Sequence, residues 1–172
     1  MSDTWKALFE PGSVAIIGAS ASPGKPGHEI IRNLLANKYE GRIHLVNPKG
    51  GDILGLPVTK DIESLPAGID LGVIIVSAAA TTDAVRKCAA RGIKTFVLAA
   101  GGYSEVDEHG EELQKDLAQT IKELGVRAIG PNTSGHISMP HHFTSSFFPL
   151  GWIRPGNISY FPLERHTAAG IR

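Results

Sequence analysis

A doubly wound, mostly parallel α/β sheet is predicted by three features of this 172-residue chain. Short apolar runs alternate with segments of helical periodicity along most of its length. One run, Leu71-Gly72-Val73-Ile74-Ile75-Val76, is apolar almost without a break, as a parallel strand covered on both faces requires. Glycine-rich turns follow the apolar runs, which is where a sheet of this kind keeps the loops at its C-terminal edge.

The elements follow in order. Strands are predicted at 13–17, 42–47, 71–76, 95–98 and 127–129, and helices at 27–37, 81–91 and 111–124, with a short helical turn near 62–65. Thr81 or Thr82 is expected to cap its helix, with Asp83 at the positive end of the dipole. Gly92 and Gly125 stand where left-handed C-caps belong, each just before another strand. Leu113, Leu117, Ile121 and Leu124 recur at helical spacing and make that helix's buried stripe. Repeated β-α-β units with right-handed crossovers give a Rossmann-like sheet. Beyond Pro131 the periodicity stops, and 134–155 reads as loops. Phe143, Phe147, Phe148 and Trp152 are expected to form a flap on the sheet or against a further domain, while Trp5, Leu8 and Phe9 anchor the N-terminal turn.

Composition narrows the function classes. Lys and Arg number 17 and so do Asp and Glu, so the net charge is zero, which argues against a nucleic-acid or membrane-surface binder. No apolar run reaches the roughly 18 residues of a membrane span, and the N-terminus carries no secretory segment. A single cysteine suits a reducing cytoplasm. The expectation is a cytoplasmic domain.

The stretch from Gly18 to Gly27, Gly-Ala-Ser-Ala-Ser-Pro-Gly-Lys-Pro-Gly, links a strand to a helix N-terminus, and that junction suits an anion. Asn47-Pro48-Lys49-Gly50-Gly51, Ser77-Ala78-Ala79-Ala80, Ala99-Ala100-Gly101-Gly102-Tyr103 and Gly130-Pro131-Asn132 fall on the same edge, and their small residues let a ligand approach the backbone. The dinucleotide fingerprint G-x-G-x-x-G does not fit the first loop. An NAD site also wants an acid at the end of the second strand, where this chain has Asn47-Pro48-Lys49. A lysine there favours a phosphorylated ribose, as in coenzyme A or NADP.

The motifs Gly18-Ala19-Ser20, Pro23-Gly24-Lys25-Pro26-Gly27, Asn33-Leu34, Val46-Asn47-Pro48-Lys49, Leu54-Gly55-Leu56-Pro57 and Gly130-Pro131-Asn132 come in a characteristic order. Over residues 8–160 the chain resembles the CoA-binding domain of the NDP-forming acyl-CoA synthetases, the superfamily of succinyl-CoA synthetase alpha subunits and ADP-forming acetate–CoA ligases. The resemblance implies that Ser20, Ala21, Ser22 and Pro23 contact the CoA phosphates and sugar, and that Lys49 meets a phosphate. It also implies that Ser77, Ala99, Ala100 and Gly101 line the adenine and pantetheine path. Gly18, Lys25, Gly27 and Asn132 complete the expected CoA site. Glu105 either faces the reaction centre or is a solvated loop carboxylate.

Two departures matter. Thr133 follows Asn132 where many relatives have cysteine, so any role of that sulfur is absent. After Tyr160 the sequence leaves the family pattern, which sets 1–160 apart as the domain and 161–172 as a truncated or non-native tail. The ligase and ATP-grasp parts would then be partners supplied by another domain or subunit, and this chain alone is expected to be inactive. A flap left uncovered offers a route to a homodimer.

The remaining reactive side chains have simpler readings. Cys88 reads as a small buried hydrophobe, and His136, His141 and His142 as loop histidines without metal-ligand companions. His28 reads as a solvated helix-start residue, with donation to a phosphate as the alternative. The competing functions are a stand-alone CoA carrier or sensor and an NADP-binding Rossmann protein.

Overall fold

In chain order the elements are α1 (Asp3–Phe9), β1 (Ser13–Ile17), α2 (Pro26–Ala36), β2 (Arg42–Val46), β3 (Gly51–Ile53), β4 (Leu56–Thr59), β5 (Leu71–Ile74), α3 (Ala78–Ala90), β6 (Thr95–Leu98), α4 (Glu108–Leu124) and β7 (Arg127–Ile129). A short ribbon of β8 (Ile137–Ser138) and β9 (Phe143–Thr144) closes the series. This computed structural model describes residues 3–156, so the boundary at 160 and the segment 161–172 lie outside the described residues.

The main sheet has the order β3-β4-β2-β1-β5-β6-β7. Its pairs are parallel except β3 with β4. In the central strand β1, Ile16 stands opposite Leu45 of β2 and Val73 of β5. The chain moves outward from β1 to β2 and β4, then returns to the other side of β1 as β5. The order therefore reverses between β1 and β5, and that is where a sheet of this class opens a crevice.

All five residues of β1 are buried, which explains the apolar run from Val14 to Ile17, and Ser13 at its start donates through Oγ to Asp70 at 3.0 Å. Ala15 and Ile17 join Val85, Cys88 and Leu117 in the core under α3 and α4. Val14 and Ile16 join Leu8, Ile30, Ile31, Leu34 and Phe143 in the core under α1 and α2.

The structure corrects several sequence expectations. The second strand and the Leu71 strand end at Val46 and Ile74, because the chain turns away at Asn47-Pro48 and into α3. Helix α3 begins at Ala78, so neither Thr81 nor Thr82 caps it; Ser77 is the N-cap, and Thr81 Oγ1 donates back to the Ser77 carbonyl at 3.0 Å. Helix α4 begins at Glu108, capped by the Asp107 carboxylate accepting from the Gly110 N–H at 2.8 Å. Leu124 is exposed, so the buried stripe of α4 is Leu117 flanked by Leu113 and Ile121. At 62–65 the expected short turn is present, closed by the Leu65 N–H donating to the Ile62 carbonyl at 3.1 Å. The β3–β4 hairpin escaped the sequence reading, since its strands are three and four residues long and, Ile53 apart, only partly buried or exposed.

Residues 134–155 are largely irregular, as expected, yet they are fastened to the rest of the fold. Buried Asn33 on α2 donates through Nδ2 to the carbonyls of Ser146 at 3.0 Å and Phe148 at 2.6 Å. Asn37 donates to the Gly151 carbonyl at 2.7 Å and accepts from the Ile153 N–H at 2.8 Å. Phe143 is fully buried beside Tyr39 and His136, so the flap packs through that ring, while Phe148 and Trp152 stay exposed. In the N-terminal turn Leu8 is buried and Trp5 stacks on Phe9 with centroids 5.9 Å apart.

Candidate functional site

Loops at the C-terminal ends of β1, β2, β5, β6 and β7 stand side by side and are tied to one another. After β1, the N–H groups of Gly18 and Ala19 both donate to the Val46 carbonyl, at 3.1 and 3.2 Å. From the neighbouring loop Asn47 Nδ2 donates to the Ala19 carbonyl at 2.7 Å, while its Oδ1 accepts from the Lys49 N–H at 2.8 Å. Asn47 thus joins the first two loops and shapes the turn that presents Lys49. Across the crevice the Ala99 N–H donates to the Ile74 carbonyl at 3.0 Å, and the Asn132 N–H to the Ala100 carbonyl at 2.9 Å.

Two glycines make the central approach feasible. Gly18 has φ of +98°, and a Cβ there would overlap the Ile75 carbonyl across the β1–β5 crevice. A Cβ at Gly27 would overlap the Gly18 carbonyl, so the first turn of α2 rests directly on the backbone leaving β1. This backbone-to-backbone seat points the N-terminus of α2 into the edge.

The helix termini here differ from that of α4. Neither Lys25, the N-cap of α2, nor Ser77, the N-cap of α3, closes its helix with a side chain, whereas Asp107 closes α4. Among the described residues, the N–H groups of Ser20, Ala21 and Gly27 on one side and of Ala78 and Ala79 on the other have no protein acceptor. Open donors and two positive dipole ends flank the crevice where the strand order reverses. Pro26 at the start of α2 fixes its backbone in helical form and removes one donor that would have been left over in any case.

The expected site residues fall on this one edge. Ala21, Ser22, Pro23 and Lys25 are exposed on the first loop, with Ser20 half-buried below them. Ser22 N–H donates to Ser20 Oγ at 3.2 Å, which makes the loop compact. Lys49, Ser77, Gly101 and Asn132 are exposed at the ends of their loops, whereas Ala100 is buried and Ala99 half-buried as backbone supports. Glu105 is exposed and folds back so that its Oε1 accepts from the Gly102 N–H at 2.7 Å, which holds the β6 loop. Thr133 is buried, and its Oγ1 accepts from the Gly135 N–H at 3.3 Å.

Sequence reasoning missed the supports beneath the loop. His28 is buried rather than solvated, and its Nδ1 donates to the Ser20 carbonyl at 3.2 Å. Glu29, also buried, accepts from the Gly24 N–H at 3.0 Å. The only available signal was the pair of adjacent polar residues, His28 and Glu29, directly before the apolar Ile30-Ile31 of the same helix.

Other reactive side chains lie away from this edge. Cys88 is fully buried and burial pushes its thiol up to about 12, so it stays protonated and packs as a hydrophobe. His136, with its pKa lowered by burial, places Nε2 on the Leu8 carbonyl at 2.7 Å and Nδ1 by Ser145 Oγ at 3.0 Å. His141 pairs with Glu10 at 3.3 Å and His142 donates to the Asn37 carbonyl at 2.9 Å. The three histidines thus have three different partners and fasten the ribbon to α1 and to the end of α2. A cleft of about 340 Å³ bordered by Glu10, Tyr39, Glu40, His141 and His142 lies at the opposite, N-terminal edge of the sheet.

Residues 12–138 match the CoA binding domain family. The alpha subunit of the ADP-forming acetate–CoA ligase I of Pyrococcus furiosus is 36% identical over 170 residues, 96% of this chain and 36% of that protein. The ADP-forming acetate–CoA ligase II of Archaeoglobus fulgidus is 39% identical over 151 residues, 88% of this chain and 22% of that protein. Among solved structures, the dinucleotide forming acetyl-coenzyme A synthetase 1 of Ca. Korarchaeum cryptofilum in complex with phosphate and ADP superposes with a TM-score of 0.78 at 30% identity. That match covers 84% of this chain and 31% of the other. The chain therefore spans between about a fifth and a third of the length of the relatives named here.

Proposed function

Because this chain belongs to the CoA-binding domain family, we propose that it holds coenzyme A across the β1–β5 crevice as the CoA-binding part of an NDP-forming acyl-CoA synthetase. The observation that carries this reading is the pair of helix N-termini without side-chain caps, α2 and α3, whose free N–H groups face one edge of the sheet together with Lys25 and Lys49. Open N–H donors suit phosphate oxygens, and two lysines on exposed loops supply the charge. Gly18, Ser20, Ala21, Ser22, Pro23, Lys25 and Gly27 form the phosphate side of the site, with Lys49 beside them. Ser77, Ala99, Ala100, Gly101 and Asn132 form the far wall, along which the rest of the coenzyme runs. The second strand ends in Asn47 and Lys49 rather than an acid, which supports a phosphorylated ribose over an NAD ribose.

In this reading the chain contributes orientation. It fixes the nucleotide end of CoA so that the thiol is presented to an acyl group carried by the remaining ligase parts, which belong to another domain or subunit. Residues 1–160 act as the CoA-binding unit, in a cytoplasmic setting that fits the single, reduced Cys88. No helix among the described residues is long and apolar enough to cross a membrane.

Calorimetric titration with CoA, dephospho-CoA, NADP and NAD tests the reading. CoA is expected to bind most tightly, with dephospho-CoA weaker by about tenfold, the effect of losing one charge-assisted phosphate contact. Lys49→Ala is expected to narrow that gap. Binding of NADP with no response to CoA would overturn the proposal.

A further inference from the structure

Resting on the CoA reading, we infer that His28 and Glu29 are positioning residues that hold the loop after β1 in its ligand-ready shape. They are adjacent in the first turn of α2, and both are only 7% exposed although polar. Successive helical residues point about 100° apart, so the two side chains reach different parts of the loop. His28 Nδ1–H donates to the Ser20 carbonyl at 3.2 Å, near the start of the exposed turn. Glu29 Oε1 accepts from the Gly24 N–H at 3.0 Å, near its end. The stretch between these two tethers, Ala21-Ser22-Pro23, is exposed and carries the open Ala21 N–H.

The tethers have a chemical consequence. By engaging the Ser20 carbonyl, His28 turns an acceptor away from the edge, and the N–H groups of Ser20 and Ala21 are left for a ligand. A carboxylate at a helix N-terminus would compete with a bound anion. Glu29 avoids this because its charge is directed inward, with Oε1 on Gly24 N–H and Oε2 in ionic contact with Arg32 Nη2 at 2.6 Å without hydrogen-bond geometry. Arg32 is about half exposed, so the pair is compensated locally and adds little net field to the site. Pinning a loop in its bound form strengthens binding by removing the entropy cost of ordering it.

The test compares truncation with near-isosteric replacement. In His28→Asn the amide Nδ2 takes the place of ring Nδ1, and in Glu29→Gln the side chain keeps Oε1 as an acceptor. His28→Ala and Glu29→Ala are expected to weaken CoA about tenfold each, and His28→Asn and Glu29→Gln to recover to within about threefold of the parent. Hydrogen exchange at the Gly24 amide, read without ligand, is expected to speed up in Glu29→Ala and to stay slow in Glu29→Gln. Alanine variants that bind CoA like the parent, or asparagine and glutamine variants as weak as the alanine ones with melting temperatures unchanged, would overturn the inference. Gly24 exchange reports the tether whether or not CoA binds. Parent protein that ignores CoA while Gly24 responds as expected therefore refutes the CoA reading and spares the tether, while a Gly24 amide indifferent to Glu29→Ala refutes the tether itself.

Discussion

Gly27→Ala is expected to lower the melting temperature by about 5–15 °C. The added methyl group would overlap the Gly18 carbonyl, and both partners are backbone, so no side-chain rotation relieves the clash. The first turn of α2 would have to lift off β1, which disturbs Ile30, Ile31 and Leu34 in the core beneath. Overpacking of this kind costs about 2–4 kcal/mol, and each kcal/mol shifts a domain of this size by about 2–4 °C. Gly18→Ala is expected to be at least as damaging, because it adds a positive φ to an overlap with the Ile75 carbonyl. Differential scanning calorimetry checks both, and a shift below about 2 °C in either would contradict the backbone seat.

The second large effect is expected from Asn33→Ala. Asn33 is fully buried, and its amide is the donor for two carbonyls of the segment crossing α2. Removing it leaves the Ser146 and Phe148 carbonyls short of a partner and opens space beside the helix, at a cost of about 2–4 kcal/mol. The segment should also loosen locally, since Phe148 and Trp152 are already exposed and contribute little packing. Limited chymotrypsin digestion is the direct readout: cleavage near Phe147, Phe148 and Trp152 should quicken well before the domain unfolds. Unchanged cleavage with a lower melting temperature would mean that Asn33 serves the core alone.

The predicted alternation of strands and helices is the structure's own, and the strands at 13–17, 95–98 and 127–129 match residue for residue. The first two were readable because a parallel strand buried on both faces leaves an apolar run that no surface helix has, whereas the edge strand at 127–129, with Arg127 exposed, was placed by the Gly125 that precedes it. The β3–β4 hairpin left no such trace. Asp52 and Pro57 are both exposed, and the turn depends on Asp52 Oδ1 accepting from Gly55 N–H at 2.9 Å, a local bond that periodicity does not register. The start of α3 was missed for a related reason: Ser77, Thr81 and Thr82 all carry a cap signal, and spacing does not choose among them.

The site was legible in part. Its loops could be named because small residues and prolines after strands are unusual, and topology then collects them on one edge. The layer under the loops could not. Asn47 as a bridge between two loops, and His28 and Glu29 as tethers, depend on where three polar side chains turn, which composition and spacing leave undetermined. His28 illustrates the difficulty: histidines at helix starts are commonly solvated, and only the seat of Gly27 on Gly18 brings this one inside.

The place of coenzyme A across the crevice between β1 and β5 can be read by mapping backbone amide shifts of the chain during a CoA titration. Saturable shifts are expected to gather at 18–25, 47–50, 75–79, 99–102 and 130–132, with Ser20, Ala21 and Gly27 among the largest. Shifts confined to the opposite edge, around Gly12, Tyr39, Gly41 and His142, or no shifts at millimolar CoA, would contradict it.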